Sequence, residues 1–454
     1  MSERRRLHTL PAVITLAVVA LLAGLLGAAA PAADAGKPAP PPPSPIKNVI
    51  LLIGDGMGPE HTELGSLMYG PLAIETTKWQ AAGWLDTTSL SGITWSCAAA
   101  TALATGYETY NNWVGMSPGP DGSPVSRLNA LEAAEAKGKA TGIVTDVYIQ
   151  DATPAAFSAH VPDRSLKDSI AEQQVSKGIE VLFGAHMFRL ATYQGVPGVT
   201  YSSSLTDLQP YLDGKKAYPT SLWGFYGANS MVYDIDREEE QVVGKEPSLP
   251  QLTQAALGVL EKDQDGFFLM VEGGAIDWVA HYRDAAATAL EVKGFNDTIK
   301  IALTYAQTHP GTLLVVTTDH ETGGLAVNKS TLNTTALGKQ SASTEWMWGL
   351  ISADPTNRTL IRDTLAKYAG IRTLTTAEVD DIVTNGEMGI SNVLAARANV
   401  QWGWSGHDEG DHTATPVPVR AWGPGSAAFA AGTQSMPVDN EIVGRNLLSI
   451  YGQR

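Results

Sequence analysis

The sequence predicts an α/β fold: a mainly parallel central sheet flanked by helices, with an inserted cap or subdomain. Three observations predict it. Short apolar runs with little polar alternation recur along the chain, segments of helical character separate them, and this rhythm breaks down between Val327 and Trp404. Strands buried on both faces read as near-continuous apolar runs, as those of a helix-covered parallel sheet do. With 454 residues, 44% of them hydrophobic, the chain is long enough to bury a large core.

The first segment reads as an address. Arg4, Arg5 and Arg6 precede an apolar run from Leu10 to Ala30, and Ala33, Asp34 and Ala35 form a small-x-small cleavage site before Gly36. Residues 1–35 are therefore expected to be a secretory signal peptide. The length also allows an uncleaved membrane anchor, but the Ala-rich end and the stretch GKPAPPPPSP that follows favour export with cleavage. The Sec route is expected, with Tat as the alternative because the arginines partly match a twin-arginine signal. The mature protein is then secreted or extracytoplasmic, with no stable membrane partner. Residues 36–46 read as an extended, Pro-rich linker, followed by one large domain over 47–454 with an insertion at about 327–404.

Within that domain the apolar runs are NVILLIG (48–54), ATGIVTD (140–146), IEVLFGA (179–185), GFFLMVEGG (266–274), GTLLVVTTDH (311–320) and VPVRAWG (417–423). The inserted segment contains helical pieces, NRTLIRDTLAKYAG and TTAEVDDIVTNG. The stretch GITWSCAAATALATG begins with Ser96 and the sole cysteine, Cys97, and continues in small residues suited to a tightly packed helix. A lone cysteine excludes any intrachain disulfide, so stability rests on the core and on any bound metal.

Acidic residues outnumber basic ones 47 to 31, for a formal net charge of -16. The leader carries three Arg against one Glu and one Asp, so its removal takes the charge to -17. This balance excludes a nucleic-acid-binding surface built on clustered Lys and Arg. An anionic ligand would need local charge reversal, which bound metal cations provide.

Polar residues cluster where the strands end: Asp55 after VILLIG, Glu272 after FFLMV, and Asp319 with His320 after LLVVTT. In an open α/β sheet these carboxyl ends line the ligand crevice. Each alone has a plainer explanation, since GDGMG suits a glycine turn and an Asp at a strand end often caps a helix. In EGGAIDWVAH, a helix starting after Gly274 puts Asp277 and His281 on one face, where carboxylate and imidazole can share an ion. A surface Asp–His pair would show the same spacing. Mixed oxygen and nitrogen donors suit zinc, and all-oxygen sets suit magnesium.

Six motifs, NVILLIGDGMG, ITWSCAAATALATG, QDATPAAFSAHVPDRS, FFLMVEGGAIDWVAH, VVTTDHETGG and HTATPVPVRAWGPGS, occur in this order between Asn48 and Ser426. In them the chain resembles the alkaline phosphatases. The resemblance implies an alkaline-phosphatase-like catalytic domain binding two Zn2+ and one Mg2+. It implies that Asp277, His281 and His412 hold the first zinc, and that Asp55, Asp319 and His320 hold the second. Asp55 would also join Thr153 and Glu272 on magnesium, with Asp151 binding water ligands of that ion. Ser96 is the implied nucleophile, forming a phosphoserine intermediate, and Arg164 the implied clamp on two phosphate oxygens. A surface ion pair with Asp163 or Asp168 is the plainer reading of Arg164. His407 and His412 compete for the last zinc position, and only His412 has the following Thr and the spacing to PVPV that the family shows. Asp408, Glu409 and Asp411 make that loop acidic, which fits a solvated loop.

Two positions of the expected substrate pocket depart from the family. Trp95 stands where an aspartate usually helps orient the clamp arginine, so Arg164 needs another holder. Trp278 stands where the best-known bacterial member has lysine and other members have tryptophan or histidine, and the loss of lysine removes a positive charge near the phosphate. The implied function is a secreted metal-dependent phosphomonoesterase acting on small phosphorylated substrates, with a homodimer possible by analogy. A phosphodiesterase of the same superfamily and a non-catalytic exported phosphate- or metal-binding protein are the alternatives.

Overall fold

The computed structural model describes residues 45–186, 190–228, 230–240, 242–403 and 411–453. The expected signal peptide, nearly all of the linker, and His407 with Asp408 and Glu409 lie outside them. Among the described residues the centre is a ten-stranded sheet. In chain order its strands are β1 (Asn48–Gly54), β2 (Ala81–Asp86), β3 (Ala140–Tyr148), β4 (Val181–His186) and β5 (Thr200–Ser202). They continue with β6 (Leu222–Ala228), β7 (Phe267–Gly273), β8 (Thr312–Thr318), β9 (Val417–Trp422) and β10 (Val438–Asp439). The spatial order is β10-β2-β9-β8-β1-β7-β3-β4-β6-β5.

From β8 through β5 every pairing is parallel. Each of the six expected runs is a strand, but β9 lies antiparallel to both β8 and β2. Its apolar pattern could not reveal this, because a strand covered on both faces reads the same in either direction. Strand β1 shows how the sheet divides the interior. Val49, Leu51 and Ile53 enter one core with Cys97, Ala100 and Leu103, while Ile50 and Leu52 enter the other with Val292, Phe295 and Ile299. Alternate residues of a strand point to opposite faces, so one apolar run feeds two cores.

The helices needed here are α1 (Pro59–Tyr69), α2 (Ser96–Thr105), α3 (Ala152–Ala156), α4 (Lys167–Lys177), α5 (Ala275–His281) and α6 (Ala285–Thr308). Every residue of α2 is buried. Its small side chains permit that: the closing helix α11 (Glu441–Ile450) comes so near that a Cβ on Gly444 would lie 2.2 Å from the Gly106 nitrogen.

Before α11 come α7 (Thr344–Ile351), α8 (Arg358–Tyr368), α9 (Thr376–Asn385) and α10 (Glu387–Ala398). These helices build a separate apolar cluster that includes Met347, Ile361, Leu365, Val379, Ile382 and Ile390. The cap residues explain where two of them start. Asn357 accepts from the Leu360 amide, and Thr375 forms a reciprocal capping box with Glu378. No helix among the described residues is long and apolar enough to cross a membrane.

Candidate active site

Register brings the strand-end residues together. Gly54 at the end of β1 lies opposite Thr318 on β8 and Gly273 on β7. The three strands therefore end level, and Asp55, Glu272 and Asp319 meet at the carboxyl ends of these central strands. The turn after β1 passes close to α5, and Gly56 makes this possible. It has φ +69, and a Cβ there would lie 2.8 Å from both Asp277 Oδ1 and Thr322 Oγ1. Only glycine combines that backbone conformation with so near an approach.

Two groups of three potential metal ligands stand side by side, each with its donor atoms within 4.8 Å of one another. In the first, Asp277 Oδ2 is 3.4 Å from His281 Nε2, one helical turn away on α5. His412 Nε2 reaches within 3.1 Å of His281 Nε2 and 3.6 Å of Asp277 Oδ1. The His412 Nδ1 faces the Thr94 carbonyl oxygen at 3.0 Å. A proton donated there leaves the Nε2 lone pair directed at the group. In the second, His320 Nε2 lies 3.4 Å from Asp55 Oδ1 and 3.2 Å from Asp319 Oδ2. The His320 and His412 rings stack with centroids 3.7 Å apart, which joins the two groups.

An all-oxygen set adjoins them. Thr153 Oγ1 donates to Asp55 Oδ2 at 3.3 Å, and Glu272 bonds to Thr153 as well as accepting from Thr145 Oγ1 at 2.5 Å.

The electrostatics of this cluster call for cations. Burial, reinforced by Asp319, Asp277, Glu272 and Asp151, pushes the Asp55 carboxyl well above its ordinary range. Burial and then Asp277 push Asp319 up to about 8, and burial with Asp151 and Asp146 takes Glu272 to about 8 against the Thr145 hydrogen bond. Burial and His412 hold His320 far below the usual imidazole value, in the neutral form that binds metal. Asp55 Oδ1 and Asp319 Oδ2 are buried without a hydrogen-bond partner. Such orphaned oxygens are rare in folded proteins, and beside a neutral imidazole they fit a divalent cation, whose charge reverses the penalty of burying carboxylates.

Ser96 opens α2, and its Oγ lies 3.1 Å from His320 Nε2. It shares a cavity of about 410 Å3 with Asp55, Asp277, His281 and His412 and with Arg164, Asp151, Tyr148, Trp278 and Tyr282. Arg164 Nη2 donates to Asp151 Oδ1 at 2.6 Å. This is the holder that Arg164 needs in the absence of an aspartate before the nucleophile. Burial pushes the Asp151 carboxyl up, but Arg164 and Lys167 outweigh it and keep it ionised.

Trp278 lines the cavity, its ring 5.8 Å from that of Tyr148. Trp95 is half-buried as the residue before α2, with its amide donating to Asn111 Oδ1 at 3.3 Å, and it is not among the cavity-lining residues. Cys97 is buried in the core with Ala100 and Leu103. His160 sits between the Gly115 carbonyl (2.7 Å) and Glu132 Oε1 (2.8 Å) and takes no part in the cavity. Sequence reasoning missed Tyr148, Lys167, Tyr282 and Thr322. Thr322 lies inside a quoted motif, TTDHETGG, but the other three carry no local signal.

The profile of the alkaline phosphatase family matches residues 46–187 and 197–443, nearly all of the described chain. The chain belongs to the alkaline phosphatase family. It is 31% identical over 421 residues to alkaline phosphatase 4 of Bacillus subtilis, covering 85% of each chain, and 31% identical over 437 residues to alkaline phosphatase 3 of the same organism, covering 88% of each. Among solved structures, the Thermus thermophilus alkaline phosphatase superposes with a TM-score of 0.76 at 26% identity, covering 90% of this chain and 92% of its own. The cold-active alkaline phosphatase of a psychrophilic Shewanella gives 0.73 at 26% identity, with 89% and 99% covered. The protein is thus a phosphatase of the alkaline phosphatase family, which implies metal cofactors, and its buried donor groups fit them.

Proposed function

We propose that this alkaline phosphatase family member is a secreted phosphomonoesterase that works through a phosphoserine at Ser96 and releases inorganic phosphate. The observation that carries the proposal is the position of the Ser96 hydroxyl, at the start of a buried helix and in one cavity with Arg164 and residues of both donor groups.

In this reading Asp277, His281 and His412 would hold one zinc ion, and Asp55, Asp319 and His320 a second. Asp55, Thr153 and Glu272 would hold magnesium, with Asp151 beside them. When bound, the metals supply the positive charge that lets a phosphate dianion approach a nucleophile. The chain's own residues do the rest. Arg164 offers its planar fork to two phosphoryl oxygens, and the first amides of α2 favour an anionic group at the helix start. Ser96 loses its hydroxyl proton as Oγ bonds to phosphorus and the bond to the leaving oxygen breaks, and the leaving alkoxide takes up a proton and departs as the alcohol. Water then attacks phosphorus, the bond to Ser96 Oγ breaks, and a proton from that water restores the Ser96 hydroxyl as inorganic phosphate leaves. Tyr148, Trp278 and Tyr282 wall the cavity without closing it, which suits varied leaving groups.

The test compares para-nitrophenyl phosphate with bis(para-nitrophenyl) phosphate on metal-analysed protein at alkaline pH. The monoester is turned over at higher kcat/KM, and Ser96→Ala abolishes turnover. A higher kcat/KM on the diester would move the enzyme to the diesterases, and phosphate binding without turnover would make it a binding protein. Export is tested by N-terminal sequencing of protein from the culture medium, which should begin at Gly36.

A further inference from the structure

Lys167, the first residue of α4, follows Arg164 by three positions and turns back into the site. Its side chain is only 11% exposed. The Nζ donates to the Tyr148 hydroxyl and the Gln150 carbonyl, each at 3.2 Å, and lies 4.7 Å above the Tyr148 ring. It is also 3.7 Å from Asp151 Oδ1, the oxygen that accepts from Arg164 Nη2 at 2.6 Å. The Tyr148 hydroxyl bonds to the Asp151 carboxylate as well. Lys167, Tyr148, Asp151 and Arg164 thus form one chain of polar contacts that ends in the cavity.

We infer that Lys167 is a positioning residue for the phosphate grip, setting the Arg164 guanidinium through Asp151 and Tyr148. The inference rests on the reading that Arg164 binds the phosphoryl group. Without a second cation, more of the Asp151 charge would fall on Arg164 and draw the guanidinium away from phosphate. A second cation on the same oxygen divides that charge, so Arg164 stays anchored at one nitrogen while the rest of its fork serves the ligand. The contacts to Tyr148 and Gln150 also hold the segment that carries Asp151 against α4. Neither Trp95 nor Trp278, the two departures from the family, brings a charge to this pair.

The test measures KM and kcat for para-nitrophenyl phosphate, competitive inhibition by inorganic phosphate, and metal content in the wild type, Lys167→Gln and Lys167→Arg. Gln keeps a hydrogen-bond donor for Tyr148 and Gln150 but removes the charge. Lys167→Gln should raise both the phosphate inhibition constant and KM about tenfold, the loss of one charge-assisted contact, with kcat and metal content much less affected. Lys167→Arg should recover most of that loss. Wild-type phosphate inhibition in Lys167→Gln would overturn the inference, and so would equal losses in both variants, which would mark a packing role. A wild-type enzyme that neither hydrolyses the monoester nor responds to phosphate would overturn the phosphomonoesterase reading and this assignment with it.

Discussion

Replacing Gly56 by alanine tests whether the turn after β1 sets the geometry of the first donor group. Two costs add. Gly56 has φ +69, and an L-residue held in the left-handed region costs about 1–2 kcal/mol. The new methyl would also sit 2.8 Å from Asp277 Oδ1 and from Thr322 Oγ1 and 2.9 Å from Asp277 Cα, where ordinary contact begins at 3.4 Å. Asp277 must therefore move by about 0.6 Å, or the turn must open by as much. Gly178 is the control. It ends α4 in the left-handed region, with φ +77 and ψ +23, and nothing lies within 4 Å of a Cβ built there, so Gly178→Ala incurs the backbone cost alone. Both variants should lose comparable stability from backbone strain in thermal unfolding. Gly56→Ala alone should lose about one metal ion per chain by elemental analysis and about a hundredfold in kcat/KM, the penalty expected when catalytic geometry shifts by around an ångström. Full metal content with wild-type kcat/KM in Gly56→Ala would refute the claim that this turn sets the position of Asp277.

Chelation of the bound metals should lower the unfolding midpoint, since the repelling carboxylates of Asp55, Glu272 and Asp319 are stabilised by cations; occupancy at about a hundred times Kd corresponds to roughly 2.7 kcal/mol. Readdition of zinc and magnesium should restore the midpoint. Gly444→Ala should destabilise by about 1–3 kcal/mol in denaturant unfolding, because the added methyl meets the Gly106 nitrogen at 2.2 Å and the Ala102 oxygen at 2.5 Å. Glu387, at the start of α10, is pushed up to about 8 by burial, with Glu345 and Asp284 adding and the Thr344 hydrogen bond opposing. Its folded value lies above its unfolded value of 4.5, so its contribution to stability is complete below that pH and is lost as pH rises through about 8. Thermal unfolding across this window should show a decline that Glu387→Gln flattens; an unchanged slope would contradict the assignment.

Much of the site was legible because its signals are local. The apolar runs at 48–54, 266–274 and 311–320 marked three strands, and the four-residue spacing of Asp277 and His281 put both on one helical face. Strands β2 and β6 escaped notice: AAGWLD is half-exposed, and LWGFYGA is interrupted by glycines, so neither carries a clean period. The helices α8 and α9 were legible as helical pieces, yet nothing local said that they share a core with α7 and α10.

By itself the sequence determined the family and pointed to the residues of the candidate site and to the strands and helices that present most of them. Burial and period are written residue by residue, so they survive in a linear text. Only the tertiary structure decided that β9 runs against its neighbours, that His412 faces His281 across 131 residues, that Asp151 holds Arg164, and that Lys167 shares the same oxygen. Those facts depend on register, strand direction and the closure of long loops, which are settled by packing between distant segments and leave no periodic trace in either one.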